Sequence, residues 1–95
     1  MTEPIRMTRA ATLKPHPRDS ELAFGTLFTD HMFVANFQEG KGWFDPRVEP
    51  YAPFALEPAA AVLHYAQAIF DGLKAFRGVD GKVRLFRPQK HIERL

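Results

Sequence analysis

Ninety-five residues, 45% of them apolar and 13% aromatic, allow one small domain at most and enough apolar surface to expect a core. The 13 basic residues are interleaved with 11 acidic ones for a formal charge of +2, which argues against the basic stripe of a nucleic-acid or anionic-membrane binder. Cysteine is absent, so neither a disulfide framework nor a thiolate metal site is available.

Met1 to Ala10 lacks the apolar stretch of a signal peptide. The apolar runs, Pro58 to Leu63 among them, are far too short to span a bilayer. The expectation is a soluble cytoplasmic protein without a membrane partner.

Residues 1–20 carry Pro4, Pro15 and Pro17 and no sustained period. They read as a flexible arm that docks on a neighbour, with order beginning near Phe24 and a domain over 21–95. Thr29 to Gln38 predicts a strand. Phe33, Ala35 and Phe37 alternate with Met32 and Val34, so it is apolar on both faces. Glu39 to Gly42 predicts a turn from its glycines. Trp43 to Val48 predicts a returning strand, which Pro46 restricts to an edge or a bulge. Pro50 and Pro53 then open an irregular connection.

Pro58 suits a first helical turn, and Val62, Tyr65, Ala66 and Ile69 fall at helical spacing behind it. A helix from about Ala59 follows, with Gly72 its strongest breaker. Gly72 to Arg77 and Lys82 to Arg87 flank Asp80-Gly81, a hairpin signal. A two-residue turn there sets Arg77 opposite Arg84, a like-charge pair that costs energy. Pro88 opens a second helix that is still running at Leu95, which reads as the end of a fragment. Helices and hairpin-connected strands in this order predict an α+β fold.

Four histidines do not make a metal site. Asp30 and His31 are neighbours on a strand and point to opposite faces, and no element holds a completed ligand set. Ser20, the only serine, has no paired base. Lys14, Lys41, Lys74, Lys82 and Lys90 read mostly as solvated side chains. The nine phenylalanines read as core. Arg84, Arg87 and Arg94 are the most suggestive polar group: guanidiniums within a strand and the adjoining helix can hold a phosphate or carboxylate. Against that stands ordinary surface pairing with Glu93 and Asp71.

Three segments, FGTLFTDHMF at Phe24–Phe33, LHYAQAIFDGLKAFRG at Leu63–Gly78 and VRLFRPQKHIERL at Val83–Leu95, resemble successive stretches of branched-chain amino-acid aminotransferases. The likeness runs in order from about Leu13 to the end. It implies the small N-terminal α+β domain of a fold type IV enzyme that uses pyridoxal 5'-phosphate. Such enzymes are homodimers or larger homo-oligomers and move the amino group of leucine, isoleucine or valine to 2-oxoglutarate, giving glutamate. The lysine that carries the cofactor, and the carboxylate on its ring nitrogen, lie downstream of the matching segments in that family. None of the five lysines here matches it, so no catalytic residue is assigned and the chain alone is expected to be inactive.

Carried over residue by residue, the resemblance makes Arg94 a ligand of the cofactor phosphate. Phe24, Tyr65 and Phe70 become walls of the pocket for the branched side chain. It also ends the first helix near Gln67, with Phe70 entering the hairpin strand. Gln89 and Lys90 depart from more apolar residues in some members and are expected to face solvent. Two competing readings remain. One is a D-amino-acid aminotransferase or aminodeoxychorismate lyase of the same fold, and the other is a non-catalytic dimerisation or binding fragment.

Overall fold

A computed structural model describes residues 2–95 and divides the chain after Phe54 into two compact units. The first carries a three-stranded sheet of β1 (Arg6–Met7), β2 (His31–Gln38) and β3 (Gly42–Pro50), in the order β1-β3-β2. The second carries α1 (Ala61–His64), the hairpin β4 (Ala75–Arg77) with β5 (Val83–Leu85), and α2 (Pro88–Arg94). The fold is α+β, as expected. No helix among the described residues is long and apolar enough to cross a membrane.

β2 and β3 form the predicted antiparallel pair. Its turn is closed by the Lys41 N–H donating to the Gln38 carbonyl at 3.0 Å, with Gly40 and Gly42 at φ of +82° and +84°. Only glycine enters that region without a steric cost. Val34 pairs with Arg47 and Asn36 with Phe44. Asp45 and Pro46 therefore share the space opposite Ala35, a bulge of two residues against one. Pro46 cannot donate to the ladder, and the bulge accommodates it in what is here the central strand of the sheet. Asp45 takes a left-handed φ of +52°. Its side chain accepts from Arg6 at 2.7 Å and Arg47 at 3.0 Å, and its N–H donates to Glu3 Oε2 at 3.0 Å.

Regular structure begins before Phe24. β1 runs parallel to β3, with Arg6 beside Arg47 and Met7 beside Val48. Residues of the first twenty thus dock on this chain's own sheet. The Ala10 N–H donates to His31 Nε2 at 2.9 Å, and the Lys14 N–H to Asp30 Oδ1 at 3.1 Å. The Lys14 ammonium donates to the Phe28 carbonyl at 3.1 Å, beside the stacked rings of Phe28 and Tyr51.

In the second unit the first helix is shorter than its apolar spacing predicts. Pro58 and Ala59 form a turn closed by Ala60 N–H to Glu57 O at 2.9 Å, the position that suits proline in a turn. α1 then makes a single turn. Ala66 adopts φ of +50°, and the Ala61 carbonyl accepts from both Tyr65 (2.8 Å) and Gln67 (3.3 Å). A left-handed residue cannot continue a right-handed helix, so the helix stops at His64, ahead of both Gln67 and Gly72. Phe70 lies in the irregular stretch that follows and not in β4.

The hairpin register also departs from expectation. Arg77 pairs with Val83 and Phe76 with Arg84, one residue away from the register of a two-residue Asp-Gly turn. The turn instead spans Gly78 to Gly81, with the Gly81 N–H on the Gly78 carbonyl at 3.0 Å and Gly81 at φ of +78°. A slip of one residue puts Arg77 and Arg84 on opposite faces and removes the like-charge pair. Pro88 opens α2 as predicted, behind Arg87 in the left-handed region at φ of +49°.

The expected core is absent. Among the described residues only Pro46 is buried, and Phe33, Phe37, Phe54, Phe76 and Phe86 are exposed. A sheet buries an apolar face only against a second layer, and neither sheet here has a helix long enough to provide one.

Candidate functional site

Of the four predicted site residues, Arg94 is the one with side-chain hydrogen-bond partners among the described residues. It closes α2, one helical turn after His91, so both side chains leave the same side of the helix. Asp71, in the loop before β4, accepts Arg94 Nε on Oδ2 at 3.1 Å and Arg94 Nη2 on Oδ1, and it also accepts the Gly72 N–H at 2.7 Å. His91 Nδ1 lies 3.8 Å from Oδ1 and 3.4 Å from Arg94 Nη2. The Asp71 side chain keeps 14% of its exposure against 67% for Arg94. The carboxylate is thus the sheltered anchor, and the guanidinium reaches outward from it. The Arg94 hydrogen bonds hold the Asp71 carboxyl below the usual carboxylate range, partial burial opposing them, and Asp71 in turn raises Arg94.

This side-on fork uses Nε and Nη2. The remaining terminal nitrogen, Nη1, has no hydrogen-bond partner among the described residues. A planar guanidinium with an open edge is a donor suited to a phosphate oxygen.

The three arginines singled out in the sequence do not share one anion. Arg84 turns back to Asp80, while Arg94 is held by Asp71. The pairing weighed for Asp71 is therefore observed, whereas Glu93 pairs with Lys90 at 2.6 Å. The Asp80–Arg84 pair lies outside the sequence reading, because it depends on how the hairpin turn folds Asp80 back beside β5.

Tyr65 and Phe70 stand in the second unit, exposed at 85% and 95%, and Phe24 stands in the first at 102%. Phe70 immediately precedes Asp71, so the residue that anchors Arg94 is its chain neighbour. Phe24 occupies a turn with Gly25 at φ of +74°. An open groove of about 470 Å³ in the first unit, bounded by Leu13, Leu22, Leu27 and Phe28, includes none of the four residues.

No family model matches the chain. Curated proteins do. It is 52% identical over 91 residues to branched-chain-amino-acid aminotransferase 2 of Bacillus subtilis, covering 96% of this chain and 25% of that protein. It is 50% identical over 95 residues to branched-chain-amino-acid transaminase 1 of the same organism, covering 100% of this chain and 27% of the relative. With the cytosolic branched-chain-amino-acid aminotransferase of Ovis aries the identity is 48% over 93 residues, covering 98% and 24%. The chain spans about a quarter of the length of these relatives and aligns with their N-terminal part.

Proposed function

Because the chain belongs with the branched-chain amino-acid aminotransferases, matching their N-terminal part over its whole length, we propose that it forms the N-terminal domain of such an enzyme. The enzyme moves the amino group of leucine, isoleucine or valine to 2-oxoglutarate with the help of pyridoxal phosphate. The observation that carries this reading is identity of 42–52% sustained from one end of the chain to the other.

Bound pyridoxal phosphate supplies an electron-withdrawing ring that lets an amino acid lose its α-proton. The donor set here fits its phosphate. Arg94 carries a permanent charge, is anchored at Nε and Nη2, and keeps Nη1 open to an oxygen. Phe24, Tyr65 and Phe70 are assigned to the slot for the branched side chain. All three residues are largely exposed in this chain, and apolar surface of this kind is what an apolar substrate must cover to gain binding energy. This chain's share of the work is to hold the phosphate end and to exclude water from the aliphatic end of the substrate.

The proposed setting is the cytoplasm, with the protein assembled as a homodimer or larger homo-oligomer. The cytosolic relative supports the location. None of the five lysines matches the family's cofactor-bearing lysine. Lys14 is committed to the Phe28 carbonyl, Lys41 lies over the Phe44 ring, and Lys90 pairs with Glu93. The chemistry therefore needs a lysine outside these 95 residues.

Transamination by the purified full-length protein tests the reading. Leucine, isoleucine and valine should each give glutamate from 2-oxoglutarate, D-alanine should not, and the 95 residues alone should give none. Turnover of D-amino acids in preference to leucine would move the protein to the other branch of the fold.

A further inference from the structure

The fork between Asp71 and Arg94 carries an inference beyond the family assignment. A lone arginine at the end of a seven-residue helix has four rotatable side-chain bonds, and ordering it against a ligand costs binding free energy. Here the ordering is already done. Asp71 takes Nε and Nη2, is itself fixed by the Gly72 N–H, and is the least exposed group of the cluster. His91 Nδ1 lies beside both partners, 3.4 Å from Arg94 Nη2 and 3.8 Å from Asp71 Oδ1. With two nitrogens committed, the edge of the guanidinium that stays open is Nη1.

We propose that Asp71 is a positioning residue for cofactor binding: it fixes the Arg94 guanidinium so that Nη1 is presented to the cofactor phosphate. The proposal rests on the reading of Arg94 as the phosphate ligand. Asp71 does not touch the phosphate. As an anion it opposes a dianion at longer range, so its benefit must come through the geometry it imposes on Arg94. The comparison is with metal sites, where an outer partner that orients a ligand is worth about ten- to hundredfold in affinity.

The experiment compares dissociation constants of the full-length protein for pyridoxal phosphate and for pyridoxal, which lacks the phosphate. Their ratio reports the phosphate contact alone. Arg94→Ala should reduce the preference for pyridoxal phosphate roughly ten- to hundredfold, the worth of a charge-assisted contact. Asp71→Ala should reduce it about tenfold, and Asp71→Asn, which keeps one acceptor oxygen, should reduce it less. In the Arg94→Ala background, Asp71→Ala should change the ratio no further. If Asp71→Ala does not fold, Asp71→Asn carries the test, because it preserves shape and the bond from Gly72.

A purely structural Asp71 would lower both affinities alike and leave the ratio unmoved, which overturns the proposal. So does a ratio that rises in Asp71→Ala, since the carboxylate would then be a competitor of the phosphate. An unchanged ratio in Arg94→Ala removes the phosphate reading itself, and the positioning role with it. A ratio that falls for Arg94→Ala but not for either Asp71 variant removes the positioning role alone.

Discussion

Arg84 grips Asp80 end-on across the hairpin turn, Nη1 to Oδ1 at 2.8 Å and Nη2 to Oδ2 at 2.6 Å, while the Lys82 N–H reaches Oδ1 at 3.1 Å. These contacts, the arginine first, lower the Asp80 carboxyl from its usual 3.8 to about 2. Because the folded value lies below the unfolded one, the contribution to stability is complete above the ordinary carboxylate range. It fades as pH falls toward 2. Amide exchange at Gly78, whose N–H donates to the Lys82 carbonyl at 2.8 Å, is the local readout. Wild type should protect this amide better than Asp80→Asn at about pH 5, and the difference should vanish as the pH approaches about 2. A difference that persists unchanged at the acid end would show that the turn does not depend on the charged fork.

A methyl group at Gly78 would tell the same story sterically. Its Cβ would lie 2.8 Å from Asp80 Oδ1 and also against Arg84 Nη1. Both are ends of side chains, so they can swing aside without moving the backbone. Gly78→Ala should therefore keep the hairpin but open the fork. A carbon-detected titration should find the Asp80 carboxyl back near the ordinary value, and a carboxyl still held near 2 would show that the fork survives.

His31 ties the N-terminal segment to the sheet by accepting the Ala10 N–H at 2.9 Å through Nε2. Glutamine places an amide oxygen at about the same reach, whereas alanine leaves that amide without its acceptor. Exchange at the Ala10 amide should be little changed in His31→Gln. It should speed up about fivefold or more in His31→Ala, in keeping with a net hydrogen-bond contribution of about 1 kcal/mol. Equal rates in the three proteins would mean that the segment is held elsewhere, for instance by Arg6 on Asp45.

Phe70 tests the substrate assignment. The residue is 95% exposed, so within this chain it supports no packing that truncation could collapse. Phe70→Ala in the full-length protein should cut kcat/KM for leucine roughly tenfold or more, from loss of about 1–3 kcal/mol of apolar contact. The half-reaction with glutamate should fall clearly less, because its carboxylate needs polar partners instead. Equal losses accompanied by a large drop in melting temperature would return Phe70 to a packing role.

Local patterning was enough for the strand pair of β2 and β3, the glycine turn between them, the proline-led α2 and the α+β class. Alternation, glycine and proline act through neighbours in sequence, so their consequences can be read before any tertiary contact is known. The resemblance added the family, which the curated relatives bear out. The roles of Phe24, Tyr65, Phe70 and Arg94 came from that resemblance and not from spacing.

What only the structure decided lies in backbone choices that residue spacing does not record and in contacts between residues far apart in the chain. The hairpin register moved by one residue because a Gly78–Gly81 turn separates Arg77 from Arg84 and lets Arg84 reach Asp80. α1 stopped at His64 because the backbone at Ala66 turns left-handed, a choice that helical spacing does not record. Arg6 and Met7 became a strand because β3 offered them an edge. Arg94 met Asp71 across 23 residues of chain, a pairing that composition permits and only the fold selects. Every phenylalanine but the half-buried Phe44 remained exposed because burial requires a second layer, and the number of apolar residues in a chain does not by itself supply one.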